Sequence, residues 1–299
     1  VNLGTASSET SVVERNTIIG IQVDGIVTGN NVVVTGNTVG ELLNTSSHSD
    51  GIVVQGSNVV VRQNTVYDCT QCIYVDSFDY GSGAQTPCNN VSIWGNLVYG
   101  TSRGHSVGIN GISIHIETQG AAVIDNLKIY NNTVADCNYN GITFGGASGG
   151  NFGSVTVVNN IVVNSGGNNM CVNFNSQPPR SVTMDYNLVY SNYDSSGRAW
   201  RWYGSSKTLA EMRALGHEAH GKSQAPAFTK YTQNADGNVF TLTSGSQAID
   251  SGTGLASEYA RDRNNYSRPQ GSAWDMGCYE YGSSGGNVSP PRNLRIRFR

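Results

Sequence analysis

The sequence predicts an all-β solenoid, a chain wound into stacked coils of short strands, and three observations carry that expectation. One pattern occurs six times: "NVVVTGNTV" from Asn31, "NVVVRQNTV" from Asn58, "NVSIWGNLV" from Asn90, "NLKIYNNTV" from Asn126, "SVTVVNNIV" from Ser154 and "SVTMDYNLV" from Ser181. A shorter alternating pattern lies between them in unvarying order: "DGIVT", "DGIVVQ", "QCIYVD", "NGISIH", "NGITFG" and "MCVNFN". Composition agrees, with 37 glycines in 299 residues and only 13 % charged side chains. Long Leu/Ala/Glu/Lys-rich stretches are nearly absent, so strands and turns are favoured over helices.

Each long unit places an asparagine six residues after its start, giving Asn37, Asn64, Asn96, Asn132, Asn160 and Asn187. Such a unit cannot bury its apolar residues alone, whereas stacking one coil on the next makes a continuous Val/Ile core. Asparagine tolerates left-handed turn geometry, and stacked amides can hydrogen-bond from coil to coil.

This repeat, over about residues 16 to 192, resembles the right-handed parallel β-helix proteins of the pectate-lyase-like group, whose coils repeat "NxVxxNxV" with stacked asparagines. The resemblance implies a right-handed parallel β-helix for residues 1–195. It implies no single activity, because the group includes lyases, hydrolases, epimerases and binding proteins.

After Asn192 the repeat stops, and residues 196–282 read as a C-terminal cap. "KTLAEMRALGHEAHG", Lys207 to Gly221, has Leu209, Met212 and Leu215 at helical spacing and Gly216 as a stop. With the following "APAFTKYTQNADGNVFTLTSGSQAIDSGTGL" and "RDRNNYSRPQGSAWDMGCYEYG", it resembles a segment common in secreted bacterial β-helix proteins. That resemblance implies an extracellular or cell-surface location. Asp250, Asp262, Asp275 and Glu280 are expected to fix turns and cap the last coil's open strand edges. No cofactor is expected, and Ca²⁺ is the metal those four carboxylates would suit. Residues 283–299 read as linker or tail.

A net charge of −3 leaves no basic stripe for nucleic acid, and no apolar run is long enough to span a membrane. A monomer is expected. The chain begins without Met and without a signal-like segment, as in a mature or excised product. Six cysteines fit no zinc spacing and are expected to be buried or disulfide-linked. Cys72 and Cys88 bracket one loop and would suit a staple.

Chemistry is expected on the outer face of the short strands. Aligned on Ile26, Ile52, Ile73, Ile112, Ile142 and Val172, their outward row runs Gln55, Asp76, His115, Gly145 and Asn175. Neighbouring coils are about 4.8 Å apart, so Asp76 and His115 should lie side by side, with Glu117 further along the same strand. Tyr74 and Ser113 complete the patch. The two longest excursions, "SFDYGSGAQTPCN" and "TSRGHSVGIN", flank it and bring in Asp79, Tyr80, Arg103 and His105.

The expected catalytic residues are therefore Asp76, Glu117 and His115, in one solvent-accessible cluster walled by loops 77–89 and 101–110. The expected substrate-binding residues are Tyr74, Asp79, Tyr80, Arg103, His105 and Asn175. Two carboxylates facing a sugar-sized groove can divide acid and base duties, which makes a glycoside hydrolase acting on a polysaccharide or oligosaccharide the first reading. A lyase removing the proton α to a uronate carboxylate is the second. A non-catalytic glycan-binding or adhesin protein is the third. Asp24, His48 and Asp50 read as turn residues, and Tyr67, Trp94, Tyr99 and Tyr130 as cover for sheet surface.

Overall fold

In a computed structural model, residues 2–3, 10–42, 48–79, 83–102, 104, 108–116, 123–146, 151–167, 170–175 and 179–282 are described. The short alternating segments pair in parallel to form sheet 1: β1 (Asn2–Leu3), β2 (Ile26–Thr28), β3 (Ile52–Val54), β4 (Gln71–Asp76), β5 (Asn110–Ile116), β6 (Asn140–Gly146), β7 (Val172–Phe174) and β8 (Trp200–Trp202). A final strand, β9 (Ser205–Lys207), joins antiparallel to β8. The long repeat units supply two further sheets of seven parallel strands each, sheet 2 from Ser11–Glu14 to Ser181–Asp185 and sheet 3 from Thr17–Ile19 to Leu188–Tyr190. Each coil therefore visits sheets 1, 2 and 3 in turn. The fold is a parallel β-helix.

Register follows side-chain chemistry. Ile26, Ile52, Ile73, Ile112, Ile142, Val172 and Trp200 stand directly above one another. These side chains are 2 % exposed or less, and a slip of one residue would turn the whole column to solvent. Burial of each contributes roughly 1.5–3 kcal/mol. The column beside it includes Phe144 and Phe174, stacked at 4.2 Å, and continues to Trp202.

The ladder asparagines run along the corner between sheets 2 and 3. The carboxamide oxygen of Asn64 accepts both the backbone N–H of Asn37 at 2.9 Å and its side-chain N–H at 3.0 Å. Asn96, Asn132, Asn160 and Asn187 repeat this in succession. Each side-chain nitrogen also reaches a carbonyl of another coil, as from Asn64 to Val34. A buried amide is tolerated only when its donors and acceptors are satisfied, and here the neighbouring coils satisfy them. The left-handed positions are not the ladder residues. They include the residues just before them, such as Gly36, Gln63, Gly95 and Asn131, and the asparagines that open the repeat units, Asn31, Asn58, Asn90 and Asn126.

The C-terminal segment divides in two. Its helix, α1 (Leu209–Ala214), is shorter than the periodicity suggests: Thr208 and Glu211 form a capping box, Met212 is buried, and Gly216 turns left-handed. The chain then closes the end of the solenoid, where Lys222 bonds to both Asn187 and Val189. The remainder does not cover the last coil, as the sequence suggests, but runs along the outside of sheets 2 and 3. Phe240, Leu242, Met276 and Cys278 pack with Leu97, Ala135, Ile161 and Leu188, while Tyr259 and Trp274 pack on Trp94 and Tyr130. At its far reach, Arg263 bonds to Asn64 and Thr65. Two of the three outer faces are thus covered by this segment, and the outer face of sheet 1 keeps a groove.

All six cysteines are buried and unbridged. The Cys72–Cys88 staple does not form: Cys88 donates to the carbonyl of Asp76 at 3.3 Å, and the Cys72 thiol donates to the carbonyl of Cys69 at 3.8 Å.

Candidate functional site

A groove of about 370 Å³ crosses the outer face of β4, β5, β6 and β7. Two rows of side chains build it. From the strand centres come Tyr74, Ser113, Thr143 and Asn173, which pair in register across the four strands. From the strand entries come Gln71, Asn110 and Asn140. His48 and Tyr139, on the turns leading into β3 and β6, stand at the rim, and His115, Gly145 and Asn175 lie along the other side.

The floor is a chain of amides. Asn173 donates to Asn140 at 2.9 Å, and Asn140 donates to Asn110 at 2.9 Å. Gln71 meets the Nδ1 of His48 at 3.5 Å. The carboxamide oxygen of Asn173 is buried in this wall with no hydrogen-bond partner among the described residues. Such an acceptor suits a ligand hydroxyl. Among the described lining residues there is no Asp, Glu, Lys or Arg.

Of the groove's titratable side chains, Tyr74 and His115 lie against each other. The Tyr74 hydroxyl lies 3.3 Å from His115 Nδ1, with the ring centroids 6.3 Å apart. This follows from register: His115 sits two residues beyond Ser113, the partner of Tyr74, on the same outward parity.

Asp76 and His115 are direct register partners, as the alignment expects, but Asp76 is fully buried and does not line the groove. The expected solvent-accessible cluster is corrected at that residue. Asp76 closes β4 where the chain turns into an antiparallel hairpin of Phe78–Asp79 with Ala84–Gln85, held to the coil by Gln55 donating to the Phe78 carbonyl at 2.8 Å. Burial accompanies this turn, and Ser77 is buried with it.

Tyr74, His115 and Asn175 come together in the groove. Glu117, Tyr80, Arg103 and His105 lie outside the described residues, as does the side chain of Asp79. Of the expected loop walls 77–89 and 101–110, Asn110 is the one described residue that lines the groove, and His48 and Tyr139 stand at its rim; residues 80–82, 103 and 105–107 lie outside the described residues. Gln71, Asn110, Asn140 and Tyr139 are missed by the strand alignment, although the "QC", "NG" and "NG" pairs opening the three strands mark the first three.

Asp50 and Asp24 sit at the equivalent strand entries of the earlier coils, with the Asp50 N–H donating to Asp24 at 3.0 Å. Burial, reinforced by the neighbouring Asp24 carboxylate, pushes Asp50 up to about 8. It does not line the groove. In the cap, Asp262 accepts from the backbone of Tyr266 and Glu280, Asp275 from Asp250 and Tyr281, and Asp250 from Ala273. Glu280 pairs with the buried Arg268 at 2.7 Å. These four carboxylates hold turns, and no group of metal-ligating side chains is found among the described residues.

No protein-family model matches the chain, and no curated protein matches it. Among the described residues, no helix is long and apolar enough to cross a membrane.

Proposed function

We propose that this is an extracellular carbohydrate-active enzyme that binds a uronate-containing polysaccharide along the sheet 1 groove and cleaves it by β-elimination. One observation carries the reading: the Tyr74 hydroxyl and His115 imidazole lie 3.3 Å apart in an amide-lined groove. Amides offer both donor and acceptor to sugar hydroxyls, and uncharged lining suits a hydrophilic, non-cationic ligand. The extracellular setting rests on the resemblance of the C-terminal segment to that of secreted β-helix proteins.

Elimination needs one proton removed and one delivered. For a 4-linked uronate, His115 takes the proton from C5, the C4–O4 bond breaks as the C4=C5 bond forms, and the Tyr74 hydroxyl protonates the departing oxygen. The proton on His115 then returns to the Tyr74 phenolate across their contact, restoring both groups. Because the two groups are neighbours, they address one face of the sugar, which suits removal of a hydrogen and an oxygen from that same face. The amide donors of Gln71 and Asn110 are available to the substrate carboxylate as charge develops on it.

The hydrolase reading requires a pair of carboxylates at the bond, and Asp76 is buried while the described lining includes neither Asp nor Glu. The test is incubation with neutral and uronate-containing polysaccharides, following both new reducing ends and the ultraviolet absorbance of an unsaturated uronide. Elimination gives both signals, and Tyr74→Phe and His115→Asn should each reduce the rate by about a hundredfold or more. Reducing ends without the absorbance would return the protein to the hydrolases, and binding without turnover would make it a glycan-binding module.

A further inference from the structure

The row that forms the groove does not stop at Asn173. Its next register partner on β8 is Arg201, so the outward sequence along sheet 1 reads Tyr74, Ser113, Thr143, Asn173, Arg201. The strand-entry row continues likewise, since Met170 and Arg198 lie three residues before the paired Asn173 and Arg201. Uncharged side chains thus give way to two guanidinium groups on the same face.

These two arginines line a second cavity of about 310 Å³, with Ser165, Ser191, Tyr193 and Asp194 among its other walls. Asp194 is the one carboxylate among the described lining residues, and both the backbone and the hydroxyl of Ser196 donate to it. Arg198 in turn donates to the Ser196 hydroxyl at 2.7 Å. The described lining thus carries two guanidinium groups and one carboxylate, with the Glu211 carboxylate also within electrostatic reach of Arg198. Between the groove and this cavity stands Asn173, whose buried carboxamide oxygen has no hydrogen-bond partner among the described residues. The outward row along the groove therefore passes from neutral amides, past this buried acceptor, to a cavity lined by two arginines.

We propose that the Arg198–Arg201 cavity is an anion subsite, which receives a carboxylate of an acidic glycan whose chain lies along the sheet 1 groove. It rests on the reading that the groove binds a glycan. Arg201 is three strands from His115, about 14 Å at the usual strand spacing, so the carboxylate held there belongs to a sugar unit remote from the reacting bond. Guanidinium groups recognise carboxylates through charge-assisted, often bidentate hydrogen bonds. The subsite therefore selects for charge and for chain length.

The test titrates the wild-type chain, Arg201→Gln and Arg198→Gln by calorimetry. The probes are galacturonate, mannuronate, guluronate and glucuronate hexasaccharides, the matching disaccharides, and the carboxyl-reduced form of whichever hexasaccharide binds. The expected result is that one acidic hexasaccharide binds the wild type, that each arginine variant weakens it about tenfold or more, and that the disaccharide is unaffected. Carboxyl reduction should weaken wild-type binding to the level of the variants. Arg198, on the turn before β8, keeps the test decisive if Arg201→Gln does not fold. Equal binding of the acidic hexasaccharide by wild type and both variants overturns the subsite, as does equal binding of the reduced form or no hexasaccharide binding at all. Arginine-dependent binding without turnover would leave the subsite standing and remove only the Tyr74–His115 chemistry. Turnover with arginine-independent binding would do the reverse.

Discussion

The carboxyl of Glu218 closes the asparagine ladder, accepting the backbone N–H of Asn187 at 3.2 Å and its side-chain amide at 2.9 Å. Glu218 occupies the place the next ladder asparagine would take, on the turn after α1, where its own N–H donates to Met184. Glu218→Ala should lower the melting temperature clearly, because each buried donor left unmade costs about 1–3 kcal/mol. Glu218→Gln, which keeps one acceptor, should lower it less. Thermal unfolding of the two variants checks the order, and equal effects would remove the ladder-closing role.

Stability should fall as pH rises from about 5 to 8. Burial raises Glu218 and Asp50 to about 8, Glu280 to about 7 and Asp136 to about 6. In that interval the folded chain holds protons that the unfolded chain has already released. The unfolding free energy therefore declines with pH through the window between the ordinary carboxylate range and those raised values, and levels off above it. Asp125, lowered to about 2 chiefly by bonds from Ser154, acts with the opposite sign in more acid solution. His217, lowered by burial, is one group against these four carboxylates inside the window. A melting temperature that is flat or rising from pH 5 to 8 would contradict these assignments.

The entry to sheet 1 is a column of close backbone contacts. A Cβ on Gly111 would stand 2.5 Å from the carbonyl oxygen of Gly141, and one on Gly141 would stand 2.4 Å from that of Cys171. These oxygens belong to the neighbouring coil and cannot yield without shifting a strand. Gly111→Ala should therefore destabilise by about 1–3 kcal/mol or more. Gly245→Ala, where nothing lies within 4 Å, should be nearly neutral. Chemical unfolding of the pair measures the contrast.

Chelation should leave the melting temperature unchanged, since Asp250, Asp262, Asp275 and Glu280 already accept backbone or arginine hydrogen bonds. Asp275→Asn should lower it instead: its two oxygens take the N–H groups of Asp250 and Tyr281, and an amide replaces one acceptor by a donor. A loss of stability on adding a chelator would return a Ca²⁺ role to this cluster.

The coils were legible because their information is periodic: an apolar residue at each inward position and an amide at each corner repeat in every turn. The covering of sheets 2 and 3 was not legible, because contacts such as Gln63 with Asp262 join residues 199 apart and follow no period. The same distinction governs the site. Outward parity finds Tyr74, His115 and Asn175, but extended backwards from Ile73 it assigns Gln71 to the core. Gln71, Asn110 and Asn140 reach the groove because they stand where the chain turns into the strand and the alternation has not begun. His48 and Tyr139 lie on turns, where no parity applies.

Asp76 and Tyr74 separate the two ways of reading one strand. Both have outward parity on β4, yet Tyr74 lines the groove and Asp76 does not. Asp76→Asn should therefore change the melting temperature, because a fully buried carboxylate is exchanged for an amide of different hydrogen-bonding character. Its turnover should stay within a few-fold of the wild type. Tyr74→Phe should do the opposite, removing only a hydroxyl from the groove wall and costing about a hundredfold or more in rate at nearly unchanged stability. Steady-state kinetics and thermal unfolding on the two variants decide between them. A large loss of turnover in Asp76→Asn with Tyr74→Phe active would move the chemistry back to the carboxylate and away from the Tyr74–His115 pair.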